Sequence, residues 1–248
     1  MEVPEGMTII IESDEVRLAQ RGADIFLRIA GESVDLRGRF ACAISGGSTP
    51  RLMHRLLCEE PHLSKALWHR THIFWVDERC VPTNHPASNY GMARDDSLGR
   101  APIPEEQVHA MPVDFPPEKG ASAYQEELIR FFQPQSSKIP MFDLIFLGIG
   151  TDGHTASLFP GQSALNEKER LVVSVKGGTP HVSRLTMTFP LLNNAREIVC
   201  LVSGREKAAI LKTVLEDPAA QLPAQKIQPL NGHLTWLLDR PAASLLNG

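Results

Sequence analysis

Apolar positions along this chain follow two regimes. Short apolar runs (Phe40–Ile44, Leu144–Leu147, Ile198–Val202 and, broken only by Ser174, Leu171–Val175) alternate with longer stretches in which apolar residues return every three or four positions. Unbroken runs of this length suit strands covered on both faces, and the periodic stretches suit amphipathic helices. Residues 7–12 predict a first strand. Ser13 is placed to cap a helix, Asp14 and Glu15 suit its positive end, and Val16, Ala19, Ala23, Phe26 and Ile29 carry its apolar face to about Gly31. Further helices are predicted from Pro50 to Leu57, over 89–98, over 121–132 and over 206–215, with a short helix or turn at 191–195. Further strands are predicted over 72–76, 107–111, 183–187 and 234–239. Five prolines between Ala101 and Pro117 mark an extended connector, and the Pro- and Ser-containing segment 134–140 predicts a turn. Strands alternating with helices predict an α/β fold, Rossmann-like, with a largely parallel central sheet flanked by helices. No repeat, low-complexity tract or linker divides the chain, so a single domain over 1–248 is expected.

Composition narrows the class without choosing a function. At 248 residues, with 42% hydrophobic and 22% charged positions, the chain can bury a large core as a globular protein. A net charge of −4 and the lack of a basic run argue against a nucleic-acid partner. Cys42, Cys58, Cys80 and Cys200 are widely spaced, so reduced thiols are expected in place of a disulfide framework or zinc site. The start of the chain shows no basic region followed by an apolar leader, and no apolar run is long enough to span a bilayer. A cytoplasmic protein with no membrane partner is expected.

The chemistry lies where predicted strands end. In open α/β sheets, ligands bind outside the carboxyl ends of the strands. Phe142–Gly161 reads as a buried strand, a glycine turn, then Asp152 and His154, with Pro160-Gly161 closing the segment. Gly148, Gly150 and Gly153 match the dinucleotide pattern G-x-G-x-x-G. Pro160 interrupts the chain too soon for a crossover helix, and Lys176 stands where an acid should follow the next strand, so a nicotinamide or flavin cofactor is rejected. After Phe40–Ile44 comes Ser45-Gly46-Gly47-Ser48-Thr49-Pro50, with Thr49 placed to cap a helix beginning at Pro50. A glycine loop leading into a helix N-terminus suits a phosphate, although the same residues could make an ordinary capped turn. It is not a P-loop, because the lysine that should follow the last glycine is missing.

Asp77-Glu78-Arg79 follows the strand at 72–76. As a charge run it suits a solvated loop; as a strand end it suits a site, where Arg79 clamps an anion and Asp77 binds hydroxyls or orients a side chain. Cys80 reads as a structural thiol. Arg184 opens a predicted strand. Lys207 sits at another strand–glycine–helix junction, equally a phosphate contact or a surface lysine. Together these residues describe a pocket for a small phosphorylated, hydroxylated molecule, with one histidine for general acid–base work. No G-x-S-x-G elbow and no H-E-x-x-H or H-x-x-x-H pair is present, so a serine nucleophile and a catalytic metal are not expected.

The ordered set SGGSTP, DER, GIGTDGHTASLFPG, RLTMTFPLLNNA and GREKAAIL resembles the glucosamine-6-phosphate isomerase/6-phosphogluconolactonase family over about residues 40–215. The deaminase branch is expected to continue after the histidine with an Ile-Ala-Phe-Asn-Glu-like run, and to carry an aromatic after Asp-Glu. Here the chain reads Thr155–Pro160 and Arg79, which points to the lactonase branch. The resemblance implies hydrolysis of 6-phosphoglucono-1,5-lactone without cofactor or metal, by a monomer or homodimer. His154 would be the general base, with Asp152 or Asp77 orienting its ring. Backbone N–H groups of Gly150 to Gly153 would face the oxyanion. Gly46 to Thr49, Arg184 and Lys207 would hold the phosphate, and Arg79 would lie near the phosphate or the hydroxyls. A deaminase/isomerase and a non-catalytic phosphosugar sensor are the rival readings.

Overall fold

The computed structural model describes residues 6–133 and 139–247; most of the turn expected at 134–140 lies outside them. The first half of the chain contains β1 (Met7–Glu12), α1 (Glu15–Arg37), β2 (Phe40–Ile44), α2 (Thr49–Leu57), α3 (His62–Lys65), β3 (Thr71–Trp75), β4 (Asp77–Arg79), α4 (Asn89–Ala93), β5 (Val108–His109) and α5 (Pro117–Phe132). The second half contains β6 (Leu144–Leu147), β7 (Val172–Gly177), β8 (Val182–Met187), α6 (Phe189–Leu192), β9 (Glu197–Val202), α7 (Ala208–Glu216), β10 (His233–Asp239) and α8 (Arg240–Ala243).

Seven strands form one sheet in the order β1-β10-β9-β6-β2-β3-β5, and every pair is parallel. Every residue of β2 and β6 is buried, which is why both are unbroken apolar runs. From β2 the chain moves outward through β3 and β5; from β6 it moves the opposite way through β9 and β10. The sheet's topological switch point therefore lies between β2 and β6, where the loops leaving the two strands diverge and open a crevice.

The expected α/β sheet is present, with local differences. Asp14, not Ser13, caps α1, accepting from the Arg17 N–H. That helix passes Gly31 and ends at Gly38, whose φ of 73° supplies the left-handed turn that Gly31 does not make. Helix α5 starts at Pro117, earlier than the apolar pattern placed it. Residues 77–79 are not a solvated loop: they form β4, which pairs antiparallel with β8 and, through it, with β7 in a second, three-stranded sheet. After β6 the chain runs through the glycine turn and a short 3₁₀ segment (Ser163–Asn166) into β7.

Candidate active site

The ends of β2, β6 and β9, together with β4 and β8, surround one cleft of about 210 Å³. Ser45, Gly46, Gly47, Ser48 and Thr49 line it after β2, and Gly150 and His154 after β6; Asp77 and Arg79 line it from β4, Arg184 from β8 and Lys207 from the β9–α7 junction. Asp152 does not line the cleft itself and reaches it through His154.

The glycine turn builds the His–Asp pair. The Gly150 N–H donates to the His154 carbonyl at 2.8 Å, and the Gly153 N–H donates to the Gly150 carbonyl at 3.0 Å, closing the turn. The closure brings His154 Nδ1 to 2.5 Å from Asp152 Oδ1, which also accepts the His154 backbone N–H at 3.2 Å. An Nδ1–H held by the carboxylate leaves Nε2 as the ring's proton acceptor. Partial burial pushes the Asp152 carboxyl up, but the hydrogen bonds from His154 outweigh burial and hold it below its ordinary value. Gly150 is dictated by the ring: a Cβ there would lie 2.1 Å from His154 Cε1 and Nδ1. The turn is braced by the Ala224 N–H, which donates to the Gly153 carbonyl at 3.0 Å.

The other end of the cleft gathers backbone N–H groups and positive side chains. Ser48, not Thr49, is the N-cap of α2, and it makes no side-chain cap bond. Thr49 is the first helical residue, so the first-turn N–H groups next to Gly46 and Gly47 have no side-chain acceptor at the cap. The Ser45 hydroxyl is committed to the Phe146 carbonyl at 2.8 Å, which ties β2's loop to β6 and leaves Ser45 only its backbone for a ligand. Arg79 and Arg184 sit directly opposite each other on β4 and β8. Like charges so placed repel, and the buried Asp77 carboxylate, 4.0 Å from Arg184 Nη1, offsets part of that repulsion. Arg184 is 3% exposed; burial first, then the Arg79 charge, pull its guanidinium below its usual affinity for the proton. Its Nε donates to the Gly177 carbonyl at 2.9 Å. Lys207 Nζ donates to the Ile149 carbonyl at 2.9 Å, holding its charge over the turn that carries His154.

Between these ends lies a buried polar network that sequence reasoning missed. Asp77 Oδ2 accepts from the Ser157 hydroxyl at 2.5 Å, and Asp77 Oδ1 accepts from Asn89 Nδ2 at 3.2 Å. Asp77 is thereby held by Ser157 and Asn89, and Asp152 is the carboxylate bonded to the His154 ring. Asn89 lines the cleft beneath Gly46, where a Cβ would fall 1.8 Å from its Oδ1. Glu78, 2% exposed, collects the N–H groups of Arg79, Asn89 and Tyr90 and the Ser88 hydroxyl, and so pins the segment joining β4 to α4. Burial raises the Glu78 carboxyl above its ordinary value, and those backbone donors oppose the rise. The Asp-Glu-Arg triplet hinted at this network, whereas Ser157 and Asn89 carried no signal in their local sequence.

One expectation is narrowed. The N–H groups of Gly150 and Gly153 are engaged in closing the turn, so of the N–H groups expected to face an oxyanion those of Thr151 and Asp152 are the ones left to do so. Among the described residues, no group of three or more His, Cys, Asp or Glu side chains could hold a metal ion. No helix among them is long and apolar enough to cross a membrane.

A parallel sheet whose switch-point crevice joins a carboxylate-held histidine to an anion cradle defines an α/β enzyme for small anionic substrates. The chain belongs to the glucosamine-6-phosphate isomerase/6-phosphogluconolactonase family, whose model, described as "Glucosamine-6-phosphate isomerases/6-phosphogluconolactonase", matches residues 13–236. It is 38% identical over 244 residues to a 6-phosphogluconolactonase of a Nostoc species, covering 97% of this chain and 98% of the relative. It is 45% identical over 215 residues to a 6-phosphogluconolactonase of a Synechocystis species, covering 85% and 86% of the two chains. The fold superposes on a 6-phosphogluconolactonase from Trypanosoma cruzi with a TM-score of 0.87 at 30% identity, covering 97% of each chain.

Proposed function

We propose that this chain, acting as one catalytic domain, hydrolyses 6-phospho-D-glucono-1,5-lactone to 6-phospho-D-gluconate, the lactone-opening step of the oxidative pentose phosphate pathway. The observation that carries the reading is the His154–Asp152 pair in the same cleft as the uncapped α2 N-terminus and the facing Arg79 and Arg184. The full-length relatives named 6-phosphogluconolactonase support it.

His154 Nε2 takes a proton from a water molecule as the water oxygen bonds to C1 of the lactone. The C1–ring-oxygen bond then breaks, and the imidazolium returns the proton to the departing oxygen, leaving the carboxylic acid and a free hydroxyl. Asp152 keeps Nδ1 protonated and favours the imidazolium as it forms. Gly46, Gly47, Ser48 and Thr49 bind the 6-phosphate through backbone N–H groups, with Arg184 and Lys207 supplying charge. Arg79 and Asp77 face the hydroxyl-bearing part of the substrate. A lactone carbonyl is already electrophilic, so one base and firm positioning suffice, with no cofactor in the reaction as written. Every residue named comes from one chain, which suits a monomer or a homodimer. The expected setting is the cytoplasm.

The test is lactone loss at mildly acidic pH, with product read by a coupled dehydrogenase, in wild type and His154→Ala. Glucosamine 6-phosphate is run beside it and ammonia is followed. Rapid hydrolysis that falls by about a hundredfold or more in the variant supports both reaction and base. Ammonia release with no effect on the lactone would assign the chain to the deaminase branch, and binding of 6-phosphogluconate without turnover would make it a sensor.

A further inference from the structure

His154 is held along its Nδ1 edge by Asp152, but an edge hydrogen bond alone leaves the ring free to rock about that bond. The residues after it fold back. The Thr155 hydroxyl donates to the Gly148 carbonyl at 2.9 Å, the Leu158 N–H donates to the Thr155 carbonyl at 2.9 Å, and Ala156 takes a left-handed φ of 49°. This reversal returns Phe159 to the imidazole, with ring centroids 4.7 Å apart and the planes inclined by 49°. Phe159 is 7% exposed, and the Arg184 guanidinium carbon lies 5.5 Å from the centre of the same ring. The phenyl ring thus touches both the base and the cation of the anion site.

Gly177 packs against this ring, while Gly178 meets the ring only after the Arg184 guanidinium, which a Cβ there would reach at 2.3 Å. A Cβ at Gly177 would lie 3.0 Å from Phe159 Cδ2, and one at Gly178 would lie 3.0 Å from Phe159 Cζ. Both glycines close the β7–β8 hairpin, whose second strand carries Arg184.

We infer that Phe159 is a positioning residue for the lactonase reaction: its ring locks the His154 imidazole on Asp152 and fixes the base relative to Arg184. The inference rests on the proposed reaction. Its logic is that a base displaced by about 1 Å can lose about a hundredfold in rate, while substrate binding, governed by the phosphate site, changes little.

The test uses Phe159→Leu, which keeps apolar bulk but loses the flat ring, and Gly177→Ala, which keeps Phe159 and crowds it by a few tenths of an ångström. Rates are read with 6-phosphogluconolactone. The Nδ1–H proton of His154 is read separately by NMR as a downfield resonance absent from His154→Ala. In Phe159→Leu, kcat is expected to fall about tenfold with KM within about threefold of wild type, and the Nδ1–H resonance to broaden or vanish. Gly177→Ala moves both readouts the same way by less, and costs nothing further in a Phe159→Ala background. If Phe159→Leu fails to fold, Gly177→Ala carries the test with the phenyl ring still in place.

A rise in KM with kcat and the resonance unchanged would make Phe159 mere packing beneath Arg184 and overturn the inference. A fall in kcat with the resonance intact would overturn it as well. A wild type that opens no lactone, yet shows a resonance that Phe159→Leu removes, would refute the proposed reaction and leave the locking of His154 standing.

Discussion

His154 Nδ1 lies 2.5 Å from Asp152 Oδ1, two residues earlier in the same turn, while Asp77, the other carboxylate of the cleft, is occupied by Ser157 and Asn89. The division separates the tasks of two acids that looked interchangeable. In the proposed reaction Asp152 faces a group that gains and loses a proton, so its charge bears on the rate. Asp77 is held by a hydroxyl and an amide and can face substrate without leaving its partners.

Asp152→Asn is therefore expected to lower kcat by roughly a hundredfold with little change in KM, because an amide holds neither the tautomer nor the imidazolium as well. Steady-state rates with fresh lactone check this. The Asp152 carboxyl is depressed below 3.8 in the fold. Its contribution to folding stability is thus present above that ordinary value and lost as pH falls through the lower folded value. Denaturant melts of wild type and Asp152→Asn should accordingly converge only below about pH 4. Convergence already at pH 6 would mean that the pair is not formed.

Gly150→Ala tests the turn while leaving His154 and Asp152 themselves in place. The new methyl would sit 2.1 Å from two atoms of the imidazole, so the ring must move by about 1 Å. Activity is expected to drop by about a hundredfold while far-UV circular dichroism stays native. A fully active Gly150→Ala would show that the ring's place is not critical.

The sequence made the large sheet legible because β2, β6 and β9 are buried on both faces and can be nothing but apolar runs. It also made the site legible where chemistry and glycine share a few consecutive residues, as in Gly148–His154. The small sheet was hidden. Asp77–Arg79 has no hydrophobic pattern, and its partner β8 lies more than 100 residues further along the chain. Asn89 and Ser157 were hidden for the same reason: what marks them is Asp77, and only the fold brings it to them. Gly31 and Gly38 were indistinguishable as helix stops in sequence, and the left-handed conformation that chooses Gly38 is a property of the folded backbone.

Lys207→Ala should separate binding from chemistry. Its ammonium is held over the His154 turn by the Ile149 carbonyl and would add charge to the proposed phosphate site beside Arg79 and Arg184. KM is expected to rise by about tenfold with kcat within about threefold. In wild type, 6-phosphogluconate should raise the melting temperature through ligand linkage, and the rise should shrink in Lys207→Ala. A kcat loss as large as the KM change would place Lys207 in the chemical step instead.

Glu78→Gln should damage the cleft indirectly. The carboxylate takes three backbone N–H groups and the Ser88 hydroxyl while 2% exposed. An amide offers one acceptor oxygen and turns its NH₂ toward donors, leaving buried groups unpaired. The expected cost is about 2–4 kcal/mol of stability, read by denaturant unfolding. A loss below about half a kcal/mol would mean that the segment from β4 to α4 is held by something else.

His54 is one of two histidines, with His72, whose burial makes the fold sensitive to acid. It is 6% exposed on α2, its Nε2 has no hydrogen-bond partner among the described residues, and it is packed among Phe26, Met53, Leu57 and Trp68. Burial lowers its pKa to about 4, and the Asp96 charge raises it only slightly against that. The folded value is thus depressed below the ordinary 6.5. Above that pH the group is neutral in both states and contributes nothing. As pH falls from 6.5 toward 4, the unfolded chain takes up a proton that the folded chain refuses, and stability drops. The drop approaches about 3 kcal/mol near pH 4. His54→Leu removes both the orphaned nitrogen and the titration, so the variant should melt higher than wild type at pH 5, with the gap narrowing toward pH 7. A gap that is equal at the two pH values would mean that His54 does not titrate on unfolding and that the acid sensitivity lies elsewhere.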